Sequence, residues 1–138
     1  MSLCDTTTLA SRFWLKVDKG DPDECWEWIA GTTNGYGRMF LGREEGFAVH
    51  EYAHRWSWSF HAKRKIPRGM EIDHICCNRV CVNPAHLELV SSRENKVREG
   101  SRQTHCIRGH KYTPQNTYKD PKGHRRCRRC AEERRAAA

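Results

Sequence analysis

The sequence predicts an α+β protein built from three parts: a small domain with an N-terminal hairpin and helix, a strand–loop–strand–helix core, and a C-terminal knuckle- or ribbon-like unit. Three observations predict this. The 138 residues are 37% hydrophobic and 30% charged, which leaves a small core in need of staples. Period-2 runs with tight-turn signals alternate with runs of helical spacing. Eight cysteines and eight histidines gather at spacings that suit a metal. Residues 1–100 form the first predicted domain, with its strand–loop–strand–helix core at about 70–99, and residues 101–138 form a second, basic module.

Taken in order, Phe13, Leu15 and Val17 predict a helix from Thr8 to Val17, with Thr6–Thr8 as caps. Gly20-Asp21-Pro22-Asp23 ends it. Cys25-Trp26-Glu27-Trp28-Ile29 alternates as a strand, Asn34-Gly35-Tyr36-Gly37 is a hairpin turn, and Arg38-Met39-Phe40-Leu41 is the return strand. Val49, Tyr52, Ala53, Trp56 and Phe60 fall at helical spacing, so residues 47–61 read as a helix. A basic loop, Lys63 to Gly69, then leads into the strand Met70-Glu71-Ile72-Asp73-His74-Ile75. After a loop containing Cys, Asn, Pro and His, Leu87-Glu88-Leu89-Val90 forms the second strand. A helix opened by a Ser cap carries Glu94, Asn95, Val97 and Arg98, and stops near Gly100 as its C-cap. Residues 101–105 read as a polar linker. Trp26, Trp28, Trp56 and Trp58 read as core of a small domain.

The charge is split. Residues 1–100 hold 14 Lys/Arg and 14 Asp/Glu, whereas residues 101–138 hold 11 Lys/Arg against Asp120, Glu132 and Glu133, so the whole net charge of +8 lies in the tail. A neutral body with a basic arm points to a polyanionic partner; the plainer reading is a solubilising tail. No apolar run approaches the roughly 18 residues of a membrane span, and the N-terminus lacks the apolar stretch of a secretion signal. The expected location is therefore cytoplasmic, with reduced thiols that serve metals rather than disulfides.

Cys106-x3-His110 and Cys127-x2-Cys130 bracket sixteen residues. Two close ligand pairs supply the four N/S donors of tetrahedral structural zinc. This segment is too polar to fold by burial, so the metal supplies its folding energy. Cys76-x4-Cys81-x4-His86 forms a looser set, with Cys25 as fourth ligand. Cys77 competes with Cys76, since strand alternation puts only one of them on the required face. The alternative for this set is buried thiols with a hydrogen-bonded His86. Cys4 pairs with neither set.

Asp73 and His74 end one strand, and Asn95 lies one turn into the helix that follows. A carboxylate and an amide oxygen can hold one divalent ion against a phosphate, and an imidazole can take a proton from water. Cys25-Trp26-Glu27-Trp28, Gly35-Tyr36-Gly37, Ala53-His54-Arg55, Ile66-Pro67-Arg68-Gly69, Ile72-Asp73-His74-Ile75-Cys76, Cys81-Val82-Asn83-Pro84-Ala85-His86-Leu87 and Glu94-Asn95 together resemble the HNH endonucleases, the ββα-metal nucleases of phage and homing enzymes, over roughly residues 12–98. The tail, with Cys106, Gly109-His110 and Cys127-Arg128-Arg129-Cys130, resembles zinc modules appended to such enzymes.

The resemblance implies Asp73 and Asn95 as ligands of a catalytic Mg²⁺ or Mn²⁺ and His74 as general base. His86 falls where the family has its central loop-supporting residue, so it serves the loop, the structural zinc or the catalytic ion, and Asn83 is its rival for bracing the loop. Arg55, Arg79 and Arg93 are candidate phosphate clamps. Lys111, Tyr112, Lys119, Arg125, Arg126, Arg128 and Arg129 are candidate DNA contacts of the tail. The implied function is hydrolysis of double-stranded DNA by a monomer or homodimer, with one or two structural Zn²⁺ ions, inside a bacterium or phage-infected host. Two alternatives are a non-catalytic zinc-stabilised DNA-binding protein and a zinc module whose basic tail binds acidic protein.

Overall fold

The computed structural model describes residues 6–138; Cys4 and the side chains of the Thr6–Thr8 caps lie outside the described residues. The chain divides into two compact units between Ser92 and Arg93.

The first unit opens with helix α1 (Thr6–Trp14). It stops before Val17, because Val17 pairs with Trp28 where β1 (Val17–Asp18) meets β2 (Glu27–Trp28). Strand β3 (Thr32–Thr33) turns through Asn34 and Gly35, at φ 54° and 82°, into β4 (Tyr36–Glu44). Two consecutive positive φ values give the primed turn that matches strand twist. Gly37, in β4, has no room for a side chain: a Cβ there would lie 2.7 Å from Trp28 Cγ and 3.0 Å from the Ala53 Cβ. Gly37→Ala is therefore expected to destabilise this unit by about 1–3 kcal/mol through overpacking. Gly31→Ala, with nothing near its Cβ, should change stability by no more than about 0.5 kcal/mol. Urea unfolding of the two variants measures the difference.

The expected helix over 47–61 begins late. Residues Phe47–Tyr52 form a strand, β5, paired antiparallel with β4. The reason is a second tight turn, at Glu45 and Gly46 with φ 48° and 86°, which returns the chain along the open edge of β4 and satisfies its backbone groups. Helix α2 then runs Ala53–Ala62 and buries Ala53, His54, Ser57 and Trp58 as one stripe. It ends at Lys63 in the left-handed region, whose N–H bonds to the Ser59 carbonyl.

Strand β6 (Met70–His74) pairs with β7 (Leu87–Ser91) in antiparallel register, Asp73 opposite Glu88 and His74 opposite Leu87. The loop between them contains one 3-10 turn, Pro84–His86. It is pinned to β2 by Trp28 N–H to the Val80 carbonyl (2.9 Å) and Val82 N–H to the Trp26 carbonyl (2.8 Å). Two buried clusters support it. Phe13, Val17, Trp28, Met39, Ala53 and Val82 form one, with Trp14, Trp26 and Trp56 packed against it. Trp58, Ile72 and Leu87 form the other. Trp26, Trp28, Trp56 and Trp58 are thus core or core-flanking, as is Trp14.

Helix α3 (Ser92–Arg102) follows β7 with no intervening residue, and its first residue bonds through N and Oγ to the Gly69 carbonyl ahead of β6. It runs past the Gly100 stop expected from the sequence and takes in the start of the expected linker. Arg125 explains this: its guanidinium donates to the carbonyls of Gly100 and Gln103 (2.7 Å), serving the helix end where a left-handed glycine would otherwise do so. The second unit completes with the hairpin β8 (Thr117–Lys119) and β9 (Arg125–Cys127) and helix α4 (Arg128–Ala136).

Candidate functional site

Asp73 and His74 close β6, and both are buried. The His74 Nε2 lies 3.1 Å from the Cys81 carbonyl. A carbonyl only accepts, so Nε2 carries the proton and the lone pair of the neutral ring sits on Nδ1. The backbone of the loop that follows thereby sets the tautomer of a neutral His74 ring.

Aromatic rings surround His74. The Tyr36 ring centroid is 5.9 Å away and that of His54 is 4.6 Å away. Arg79 lies over Tyr36 at 5.3 Å, which places an exposed cation at this edge of the site. Arg55 is paired with Glu51 at 3.2 Å. Asn95 is half-buried one turn into α3, and Arg93 is exposed on the same helix. Both belong to the second unit.

Cys25, Cys76, Cys81 and His86 come together with all four ligand atoms within 4.8 Å of one another. His86 Nδ1 lies 3.6 Å from both the Cys25 and Cys81 sulfurs, while Nε2 donates to the Asp23 carbonyl at 3.0 Å. This tautomer leaves the Nδ1 lone pair facing the sulfurs, as in metal-ligating histidines with an outer carbonyl partner. Both ring nitrogens are thus engaged, Nδ1 toward the sulfurs and Nε2 by the Asp23 carbonyl. Cys77 points elsewhere: its backbone is left-handed (φ 59°) and its sulfur is 3.9 Å from the Ile75 carbonyl. Burial pushes the Cys81 thiol up to about 12, so a cation must displace its proton on binding. Asn83, almost fully buried, braces the loop: its amide donates to the Pro22 and Glu24 carbonyls, and its oxygen accepts the Ala85 N–H.

Cys106, His110, Cys127 and Cys130 form the second such group, also within 4.8 Å. His110 Nδ1 is 3.3 Å from the Cys130 sulfur and 3.6 Å from that of Cys127, and its Nε2 is 3.4 Å from the Glu133 carboxylate. Arg108 and Arg129 also reach Glu133. The donor sets of both clusters, three thiols and one imidazole, fit zinc. Sequence spacing finds the eight ligands, but not Glu133 or the Asp23 and Cys81 carbonyls, which act through packing and backbone.

The tail cations differ in freedom. Arg125 is taken up by the α3 carbonyls and lies 4.1 Å over Tyr112. Arg126 pairs with Asp120 (2.9 Å), and Arg128 lies over Tyr118. Asp120 is held down at about 2, first by the His124 N–H and then by Arg126 and the Lys122 N–H. Lys111, Lys119, Arg126, Arg128 and Arg129 are exposed.

Among the described residues, no helix is long and apolar enough to cross a membrane. Residues 51–97 match the profile of the HNH endonuclease family. Three phage proteins are similar to this chain. An uncharacterized gene 5.3 protein of Enterobacteria phage T3 is 42% identical over 66 residues, covering 47% of this chain and 64% of that protein. Protein 2.8 of Escherichia phage T7 is 36% identical over 53% of this chain and 47% of its own length. Protein 7.7 of the same phage is 31% identical over 53% of this chain and 52% of its own. The chain thus spans between about half and just under two thirds of the curated relatives it matches. No solved structure gives a significant match. The stretch similar to the HNH endonuclease family, residues 51–97, holds Asp73, His74 and the Cys81 carbonyl that meets the imidazole.

Proposed function

We propose that this protein is a metal-dependent DNA endonuclease in which His74 is the general base and Asp73 and Asn95 are the protein ligands of one catalytic ion. The observation that carries this reading is the His74 tautomer: Nε2–H bonds the Cys81 carbonyl, so Nδ1 is the atom that accepts the proton of the attacking water. With a pKa ordinarily near 6.5, an imidazole does this at neutral pH. Asp73 and Asn95 both offer oxygen, the donor that Mg²⁺ and Mn²⁺ prefer. When bound there, such an ion supplies charge neutralisation for the phosphorane and the departing 3′-oxygen. Arg79, held over Tyr36, is the best-placed clamp for a neighbouring phosphate. Arg55 and Arg93 are weaker candidates, since Arg55 is already paired.

In this reading the two Cys/His clusters each hold a structural Zn²⁺, and His86 is a zinc ligand rather than a catalytic one. Residues 101–138 contact double-stranded DNA through Lys111, Lys119, Arg126, Arg128 and Arg129, with Arg125 committed to α3. The protein acts as a monomer or homodimer inside the host of a phage. Conversion of supercoiled plasmid to nicked or linear forms in Mg²⁺ separates a nuclease from a protein that only binds DNA.

The role of the tail has its own test. Each phosphate neutralised by a Lys or Arg contributes about −0.9 to the slope of log affinity against log salt. A gel-shift series in rising salt should give a shallower slope for a chain lacking residues 103–138 than for the full chain. Equal affinities and equal slopes would show that the tail is not a DNA arm.

A further inference from the structure

We propose that His54 is a positioning residue for the nuclease reaction: its ring, packed against His74, holds the imidazole in the orientation that lets Nε2–H reach the Cys81 carbonyl. The proposal rests on reading His74 as the general base. The Nε2 hydrogen bond fixes one direction of the imidazole, and contacts on the ring faces restrict rotation about that direction. Two rings lie within 5.9 Å of it, and the nearer one sets that restriction. His54 provides it, with ring centroids 4.6 Å apart and planes at 47°. His54 is itself held by Tyr52 at 5.8 Å and by Tyr36 at 5.2 Å, a ring that also reaches His74 at 5.9 Å, and is only 6% exposed.

The helix carrying it is locked to the same loop that orients His74. One turn after His54, the buried Ser57 hydroxyl donates to the Val82 carbonyl at 2.6 Å, and Val82 adjoins Cys81. Helix α2 therefore touches the base directly through His54 and its acceptor loop through Ser57. Hydrogen bonding at Nδ1 does not explain the place of His54, since that buried nitrogen has no hydrogen-bond partner. What the residue contributes is a flat, stiff ring. Burial foremost, then His74 and Arg55, lower its pKa to about 3, so this ring adds no positive charge beside the base.

The test compares His54→Ala, His54→Phe and His74→Ala in steady-state cleavage of supercoiled plasmid with Mg²⁺, each variant first checked for zinc content and cooperative melting. His54→Ala should lower kcat about 10- to 100-fold, the scale of a misplaced catalytic group, with KM for DNA within about twofold. His54→Phe, which keeps a ring and discards an unsatisfied nitrogen, should return kcat to within about threefold of wild type and raise Tm. Nitrogen-15 spectra should show His74 as one Nε2–H tautomer in the wild type and His54→Phe, and as an exchanging mixture in His54→Ala. If His54→Ala does not melt cooperatively, His54→Leu replaces it with the same expectations. Wild-type kcat in the ring-less variant overturns the proposal. So does a His54→Phe variant as slow as His54→Ala, which would make the nitrogen a chemical participant. Full activity in His74→Ala would instead overturn the general-base reading, whatever His54 shows.

Discussion

His74→Ala is expected to lower the cleavage rate by about 10²- to 10⁴-fold, the usual contribution of a positioned general base. DNA affinity should be unchanged, because the residue is buried at the end of β6. Folding should also survive. The substitution strands the Cys81 carbonyl, which costs about 1 kcal/mol, and opens space beside His54. The β6–β7 register and the Cys25–Cys76–Cys81–His86 cluster do not depend on it. Single-turnover cleavage alongside a gel shift separates these effects. A variant that binds and cuts like the wild type would remove His74 from the mechanism.

Cys81→Ser should be more damaging, because residue 81 does two things at once. Its sulfur belongs to the first Cys/His cluster, and its carbonyl accepts from His74. The serine keeps the carbonyl but weakens the anchor that fixes it. Structural zinc contributes about 10–16 kcal/mol of apparent binding energy in small zinc domains, and whole domains are stable by about 5–15 kcal/mol. Loss of a third of the former, about 3–5 kcal/mol, removes a large share of such a stability and nearly all of it at the low end. The expected result is a chain with one zinc fewer, a melting transition lowered by well over 10 °C, and cleavage reduced at least as far as by His74→Ala. Native mass spectrometry, calorimetry and plasmid cleavage measure the three. Full zinc content with full activity would disconnect the cluster from catalysis.

Much of this arrangement is legible in the text of the chain, for physical reasons that also mark where legibility ends. Cysteine and histidine spacings report candidate metal sites because close pairs are gathered locally, as in Cys106/His110 and Cys127/Cys130, whereas Cys25 joins Cys76, Cys81 and His86 from far along the chain. Strand–loop–strand–helix order around β6, β7 and α3 is likewise carried by local pattern. Residues 47–52 defeated the pattern because Val49 and Tyr52 satisfy a helical spacing by coincidence, while the demand of β4 for a partner is a tertiary fact. Gly100 defeated it too, since the end of α3 is served by Arg125, distant in sequence. The hydrogen bond from His74 to residue 81 is invisible to any side-chain motif, because its acceptor is backbone. His54 is visible in the text only as a letter before Arg55; its contact with His74 depends on where α2 lies.

The most direct measurement is cleavage of supercoiled plasmid by zinc-loaded protein as Mg²⁺ is titrated from zero, with wild type, His74→Ala and Asp73→Ala side by side. Wild type should convert the plasmid to nicked or linear DNA with saturable Mg²⁺ dependence. Asp73→Ala should lose that dependence together with activity, and His74→Ala should stay slow at every concentration. Plasmid that remains supercoiled with the wild type throughout the titration, or is cut equally well by all three proteins, would contradict a metal-dependent nuclease built on Asp73 and His74.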